Sequence, residues 1–191
     1  KVINIYPYIK KKIFNNNSLN LIGKDYLILD HNLIKYKFKK KKKYKRPLIL
    51  SGGSSVPSKK ILNHLIDKKM RPLVILGPLM NKKKIAYLKK FSNKVKFVFS
   101  PKNYFDYVFN SKNVICRFGV SVFECIALGV KPYVIIDDEI SERLKDILLL
   151  EKMGYINVFS EHKNLICKHY EFNYKNLPIG AKFITNFLNN D

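Results

Sequence analysis

Cysteine is scarce in this sequence, and long apolar runs are missing. The three cysteines, Cys116, Cys125 and Cys167, are odd in number and show no C-x-x-C spacing, which argues against a disulfide framework and against a zinc site. A reducing compartment fits this cysteine usage best. The chain has neither the apolar length that a membrane-spanning helix needs nor the core of a signal peptide. The sequence therefore predicts a soluble, cytoplasmic protein.

Acidic residues and arginines are also few. The 37 Lys+Arg against 14 Asp+Glu give a net charge of +23, so nucleic acid, anionic membrane and phosphorylated small molecules are all admissible partners. Arginine, the usual reader of phosphates and bases, occurs only at positions 46, 71, 117 and 143. Lysine is spread along the chain together with much Asn, Ile and Tyr, as in AT-rich coding sequence. The charge thus argues against specific nucleic-acid recognition and is not taken as a functional signal by itself.

Two common nucleotide-binding signatures are missing. No Gly-Lys-Ser/Thr follows the glycine pair Gly52 and Gly53, so the segment SGGSS at residues 51–55 is not a Walker motif. It is not a G-x-G-x-x-G fingerprint either. ATP hydrolysis and dinucleotide redox chemistry therefore have little support.

What the sequence does contain from residue 47 onward is a regular alternation of short apolar strands and helices, typical of βα units on a parallel sheet. The predicted strands are residues 48–50, 73–76, 95–99, 113–116 and 133–136, with a short one near Ile156. The predicted helices are residues 57–67, 82–91, 103–109, one after Gly119 that Gly129 ends, 141–153 and 178–188. Right-handed crossovers make this an α/β Rossmann-like three-layer sandwich, with ligands at the carboxyl ends of the strands.

The first 46 residues have a different character. Residues 2–5 are predicted to be a strand, and the apolar segment at residues 26–29 must pack on something. The basic run KYKFKKKKKYKR at residues 35–46 has no apolar face and is predicted to be an exposed linker. We expect residues 1–46 to be the end of an amino-terminal lobe plus this linker, and residues 47–191 to be the Rossmann-like domain. The chain opens on Lys1 in a strand-like run, and we expect it to be part of a longer protein.

Residues 113–132 (NVICRFGVSVFECIALGVKP) are the most informative stretch, because they combine strand, glycine turn, helix, glycine stop and new strand. Ser121 is predicted to cap the helix, and S-V-F-E at residues 121–124 matches a capping box in which Glu124 reaches back to the N-cap amide. The alternative is a helix N-terminus that binds an anion while Glu124 accepts hydroxyl protons from a sugar. The sequence alone leaves both open.

Two further loops leave the carboxyl ends of predicted strands. In residues 51–55, Gly52, Gly53 and Ser54 let backbone N–H groups approach a pyrophosphate, or they form a plain tight turn. In the loop SPKNY at residues 100–104, Tyr104 is either a stacking ring for a planar base or a core filler.

The order of these loops resembles the carboxyl-terminal half of GT-B nucleotide-sugar enzymes. The resemblance is strongest to the UDP-sugar hydrolase family of pseudaminic acid biosynthesis and weaker to the peptidoglycan N-acetylglucosaminyl transferases. The family motifs are matched by G-G-S at residues 52–54, V-x-L-G-P at residues 74–78, and Gly119, Ser121, Glu124, Leu128, Gly129 and, one residue late, Pro132. The sequence departs from the family at Ser55, where the family has an acid, and at Phe118, where the family has glycine. The Asn-Gln pair that follows the fifth strand in the family is also missing here.

The resemblance implies a binding site for the UDP moiety of a nucleotide-sugar substrate. The residues that it assigns are Phe99, Ser100, Asn103 and Tyr104 for the base, Glu124 for the ribose, and Gly52, Gly53, Ser54, Gly119, Val120 and Ser121 for the diphosphate. No separate cofactor and no metal are expected, since amides and a helix N-terminus would neutralise the diphosphate. The catalytic histidine of the family belongs to an amino-terminal lobe that this chain lacks, so the chain alone is expected to be inactive.

Two alternatives stay open. A basic non-enzymatic module would bind nucleic acid or make peripheral contact with anionic membrane through the lysines of residues 10–12, 39–43 and 82–84. A scaffold lobe that has lost its ligand would be favoured if Phe118 fills the phosphate position. His162, Cys167 and His169 lie close together in sequence, but their spacing fits no common zinc pattern.

Overall fold

The computed structural model describes residues 2–6, 18–22, 28–36, 39–40, 44, 46–136 and 143–159, and the structural statements below concern these residues. They fall into two compact units, one up to Tyr36 and one from Lys39 onward. The first unit contains a two-stranded parallel sheet of β1 (Val2–Tyr6) and β2 (Ser18–Ile22), and a 3-10 helix at His31–Tyr36. The strand predicted at residues 2–5 is confirmed, whereas β2 and the 3-10 helix were not predicted.

The second unit is an α/β domain with a six-stranded sheet. Its strands are β3 (Leu48–Leu50), β4 (Leu73–Leu76), β5 (Lys96–Phe99), β6 (Val114–Arg117), β7 (Tyr133–Ile135) and β8 (Asn157–Val158). Its helices are α1 (Lys59–Asp67), α2 (Lys82–Lys89), α3 (Tyr104–Asn110), α4 (Val120–Ala127) and α5 (Leu144–Lys152). All strand pairs are parallel, and helices flank the sheet. The predicted α/β Rossmann-like sandwich is confirmed.

The strand order in this sheet is β5-β4-β3-β6-β7-β8. The chain first builds outward from β3 to β5, then crosses back through α3 and continues from β6 to β8 on the other side of β3. The order therefore reverses between β3 and β6. In open parallel sheets a crevice forms at such a switch point, outside the carboxyl ends of the strands, and ligands bind there.

The core of the sheet follows from residues that pair in register. Val74, Ile49, Ile115 and Tyr133 form one row across β4, β3, β6 and β7. All four are buried and belong to a single apolar cluster with residues of α1 and α2, among them Ile61, Leu62, Leu65 and Leu88. Near-continuous burial of this kind is typical of parallel strands covered on both faces. The edge strand β5 is exposed at both ends, as an edge position allows.

Two helices begin where a polar side chain caps them. Ser58 Oγ accepts a hydrogen bond from the Ile61 N–H at 3.3 Å, and Asn81 Oδ1 accepts one from the Lys84 N–H at 3.0 Å. The predicted helix at residues 57–67 therefore starts two residues late, at Lys59, because Ser58 takes the capping position. The other predicted strands and helices agree with the structure within two residues, with two exceptions. The helix predicted at residues 141–153 is seen at Leu144–Lys152, and residues 141–142 lie outside the described residues. The helix predicted at residues 178–188 also lies outside them.

The basic segment after the 3-10 helix is tied to α3 of the second unit. Lys39 Nζ lies 3.2 Å from Asp106 Oδ1, and the Tyr44 N–H donates to the Asn110 carbonyl at 2.8 Å. Lys39, Lys40, Tyr44 and Arg46 are exposed, as predicted for residues 35–46. The same prediction is wrong at Tyr36, which is buried at the end of the 3-10 helix. No helix in the described part of the chain combines the length and hydropathy that crossing a bilayer requires.

Candidate functional site

A cavity of about 280 Å³ opens at the carboxyl edge of the sheet, beside the switch point. It is lined by the ends of β3 and β4, the loop after β5, and the first turns of α3 and α4. The lining residues are Leu50, Ser51, Gly52, Gly53, Ile75, Leu76, Gly77, Pro78, Ser100, Pro101, Tyr104, Ser121 and Glu124. We call this cavity the switch-point pocket.

The structure brings together about half of the residues that the sequence proposed for nucleotide binding. Gly52, Gly53, Ser100, Tyr104, Ser121 and Glu124 line the switch-point pocket, whereas Ser54, Phe99, Asn103, Gly119 and Val120 do not. The latter residues belong to the same loops and helix starts. Phe99 and Val120 are more than half exposed.

The loop after β3 has backbone N–H groups without a backbone partner. The Gly53 carbonyl accepts from the Leu79 N–H at 3.0 Å, and the Ser54 carbonyl accepts from Lys84 Nζ at 2.6 Å. In a trans peptide the N–H points opposite to the carbonyl. The N–H groups of Ser54 and Ser55, which follow these two carbonyls, therefore point away from Leu79 and Lys84. Among the described residues, no backbone carbonyl accepts from the N–H groups of Gly52, Gly53 or Ser54. Such a run of unsatisfied amides is suited to an anion.

A close backbone approach fixes this loop against β4. A Cβ atom on Gly77 would collide with the carbonyl oxygens of both Gly52 and Gly53. Gly52 itself has a φ of 78°, in the left-handed region that glycine adopts without strain. The glycines at positions 52 and 77 are therefore required by the backbone of this loop.

Helix α4 begins differently from the prediction. Its N-cap is Gly119, which makes no side-chain capping bond, and Ser121 is the second helical residue. The prediction that Ser121 caps the helix within an S-x-x-E capping box is therefore wrong. No side chain caps this helix start, and among its first N–H groups that of Val122 donates to the Gly119 carbonyl at 3.0 Å. The positive end of the helix dipole lies at this turn and favours an anion.

Phe118 has a structural role at the start of α4. Its ring packs edge-on against the ring of Phe123, with centroids 6.2 Å apart and an interplanar angle of 72°. These are the N′ and N4 positions around the Gly119 N-cap, so the pair is a hydrophobic staple that sets the entry of the chain into the helix. Phe118 does not line the switch-point pocket.

The carboxylate on the pocket wall is held by a tyrosine. Tyr104 Oη donates to Glu124 Oε2 at 3.0 Å. Burial, above all, raises the pKa of Tyr104 well beyond its ordinary value; the neighbouring Cys125 and Glu124 add to the rise, and a hydrogen bond with the Ser121 side chain opposes it. The phenol therefore stays protonated at neutral pH and continues to donate to Glu124.

Two cationic side chains contact the glycine loop. Arg117, the last residue of β6, donates from Nη1 to Ser55 Oγ at 3.2 Å, and Lys84 reaches the Ser54 carbonyl. Together they place positive charge next to this loop. An anion in the pocket would gain from this charge.

Two buried cysteines lie next to site residues in sequence. Cys116 and Cys125 are free thiols with no exposed surface. Burial is the main cause that raises the pKa of Cys125, and the neighbouring Cys116 thiol contributes. A buried neutral thiol is a poor nucleophile, so neither cysteine is a catalytic candidate.

The comparisons with known proteins are negative: no family model matches the chain, and no curated protein matches it. The functional argument therefore rests on the fold and on the geometry of the pocket. Within the described ranges, no three His, Cys, Asp or Glu side chains are grouped to hold a metal ion. His162, Cys167 and His169 lie outside those ranges.

Several lining residues were not among the proposed site residues. They are Leu50, Ser51, Ile75, Leu76, Gly77, Pro78 and Pro101. For Gly77 and Pro78 a signal was present, because V-I-L-G-P places a glycine directly after a buried strand, where backbones meet at a sheet edge. For the others, the lining role follows from strand order, which the local sequence does not give.

Proposed function

We propose that this chain is the nucleotide-sugar-binding half of a GT-B enzyme, a UDP-sugar hydrolase or glycosyltransferase of surface-glycan biosynthesis. The UDP moiety would occupy the switch-point pocket. One observation carries the proposal: the glycine loop at Gly52 and Gly53, whose amides have no backbone partner, and the start of α4, which no side chain caps, line the same pocket, at the sheet position where ligands of this fold bind.

The pocket also offers groups for the nucleoside. Glu124 is a carboxylate on its wall, suited to accept hydroxyl protons from a ribose, and Ser100, Pro101 and Tyr104 supply a wall for a base. The preference for uridine over other bases comes from the resemblance of the three loops to UDP-sugar enzymes. A scaffold lobe that has lost its ligand would be favoured if Phe118 filled the phosphate position. The Phe118 ring packs on Phe123 instead, which removes this argument.

The reaction itself needs more than this pocket. In our proposal the diphosphate is neutralised by amides, by the helix dipole and by the nearby charges of Arg117 and Lys84. A second lobe of the same protein supplies the catalytic residues and the side of the cleft that holds water or acceptor. We place the protein in the cytoplasm, where unpaired thiols such as Cys116 and Cys125 persist.

The ribose role is tested by Glu124→Gln, with Glu151→Gln as a control that makes the same charge change away from the pocket. Glutamine cannot replace the charge-assisted hydrogen bonds of the carboxylate, so we expect UDP affinity to fall about tenfold in Glu124→Gln. Tripolyphosphate affinity should stay unchanged. The control should match the parent chain, because a glutamine oxygen can still accept from the Val158 N–H as Glu151 Oε1 does at 2.9 Å.

The measurement is calorimetric titration of each folded variant. Equal UDP affinity in Glu124→Gln and the parent chain would remove the ribose role. Equal weakening by both substitutions would show that the loss reflects net charge and not the pocket.

A second candidate function has one specific observation in its favour. Helix α2 begins with three consecutive lysines, Lys82, Lys83 and Lys84, at the positive end of its dipole. This placement is unfavourable within the protein itself, and Lys82 and Lys83 are exposed. A basic module that binds nucleic acid or anionic membrane would use such a cluster. Its affinity would fall steeply with salt and would not depend on the base.

A further inference from the structure

The hydrogen bond between Tyr104 and Glu124 joins two different helices across the pocket. Tyr104 is the first residue of α3, and Glu124 lies in the second turn of α4. A glutamate side chain has several rotatable bonds, and fixing it costs conformational entropy. The bond of 3.0 Å to Oε2 fixes the carboxylate before any ligand arrives.

A carboxylate with a fixed orientation can bind a sugar more selectively than a mobile one. An ionised carboxylate accepts up to about four hydrogen bonds, so it can bind Tyr104 and a ribose hydroxyl at the same time. The bond to Oε2 also restricts rotation of the carboxylate and thereby the range of positions open to Oε1. The phenol oxygen is a further acceptor at a set position beside it. Neighbouring hydroxyls of a ribose therefore meet acceptors with fixed spacing.

We propose, on the basis of the nucleotide-binding function above, that Tyr104 is a positioning residue that orients Glu124 and makes the pocket selective for ribose over deoxyribose. It acts on the sugar through the carboxylate. This role differs from the stacking of a base on its ring, which the sequence suggested. It also explains why a tyrosine in a partly buried position contacts an acid.

The test is Tyr104→Phe, which removes only the hydroxyl, with Tyr107→Phe as a matched control on the same helix outside the pocket lining. Each chain is titrated with UDP, with deoxyuridine diphosphate (dUDP) and with tripolyphosphate. The parent chain should prefer UDP to dUDP by about tenfold, the effect of one charge-assisted hydrogen bond. In Tyr104→Phe, UDP affinity should fall and the preference should shrink to about twofold or less. Tripolyphosphate binding should not change, and Tyr107→Phe should behave as the parent.

A double-mutant cycle with Glu124→Ala shows whether Tyr104 acts through the carboxylate. We expect Tyr104→Phe to have no further effect on UDP once Glu124 is gone. An equal effect in both backgrounds would overturn the inference. So would an unchanged UDP to dUDP ratio in Tyr104→Phe, or equal losses for UDP, dUDP and tripolyphosphate, which would indicate a general structural role. If the parent chain shows no preference for UDP over tripolyphosphate, the proposed function itself fails, and that result is distinct from these.

Discussion

At the scale of single residues, the geometry of the pocket depends on a contact between two pieces of backbone. The loop at Gly52 and Gly53 presses its carbonyl groups against the Cα of Gly77. The Leu79 N–H stabilises this position of the loop by donating a hydrogen bond to the Gly53 carbonyl. The amides that we assign to a diphosphate are therefore positioned by a glycine on the neighbouring strand end and not by side chains.

Gly77→Ala should disturb this contact. The added methyl group must displace the loop, and overpacking of this kind costs about 1–3 kcal/mol of unfolding free energy. We expect UDP affinity to fall as well, since the amides move. Chemical denaturation and UDP titration of the variant measure both effects.

Gly53→Ala is the matched control in the same loop. A Cβ on Gly53 would meet only Leu79 Cδ1, at an ordinary contact distance of 3.7 Å. Its stability should stay within about 0.5 kcal/mol of the parent chain. The account of this loop fails if the two alanines have equal effects on stability.

The capping box shows why single residues are hard to assign from sequence. S-V-F-E at residues 121–124 satisfies a local pattern, yet the N-cap is Gly119, two residues earlier, where Phe118 and Phe123 form a staple around it. Sequence reasoning singled out Glu124, and the structure places it in the lining of the pocket. Its partner Tyr104 is distant in sequence, so the bond between them could not be derived without the strand order.

At the scale of elements, most of the second unit could be derived from the sequence. Apolar runs of three to five residues bounded by Gly, Pro and polar turns located β3 to β7. The predicted start of α2 at residue 82 agrees with the structure, whereas α1 begins two residues after the predicted start. Strand β2 could not be found in this way. Its residues, SLNLI, directly follow a polar tract, and its pairing with β1 is not encoded in its own sequence.

The end of α1 provides a prediction at this scale. Lys69 has a φ of 55°, and the two bonds around it, from its own N–H to the Ile66 carbonyl and from the Met70 N–H to the Leu65 carbonyl, form a Schellman motif. This position favours glycine, because an L side chain in the left-handed region costs about 1–2 kcal/mol. Lys69→Gly should therefore raise the free energy of unfolding by about 1 kcal/mol.

Lys68→Gly supplies the comparison for this prediction. Lys68 is the adjacent C-cap residue with a φ of −77°, where glycine gains no relief and loses chain entropy. We expect it to lower stability by about 0.5–1 kcal/mol. Urea denaturation of both variants measures the difference. A loss of stability in Lys69→Gly would contradict the assigned helix end.

At the scale of the whole molecule, the strand order decides where function is sought. Alternating strands and helices predicted a parallel sheet, and right-handed crossovers predicted its layers. The reversal between β3 and β6 could not be read from any local segment, because it depends on which strands pair. It is this reversal that brings the loop after β3 beside the start of α4.

The net charge of +23 is the other property of the whole molecule. It complicates the interpretation of any binding experiment. Such a field attracts every phosphate compound, but attraction between exposed charges weakens as salt rises. A pocket that recognises a nucleoside by fixed hydrogen bonds keeps its preference between ligands of similar charge. Selectivity, and not affinity alone, therefore distinguishes the two candidate functions.

The most direct measurement is calorimetric titration of the folded chain with UDP, ADP and tripolyphosphate at moderate and then at raised salt. Our account predicts that UDP binds more tightly than both controls by about tenfold or more, and that this preference survives added salt. Equal binding of all three ligands, weakening together as salt rises, would contradict it. In that case the binding would come from the lysines alone, and the fold would be the only remaining support for the nucleotide-sugar proposal.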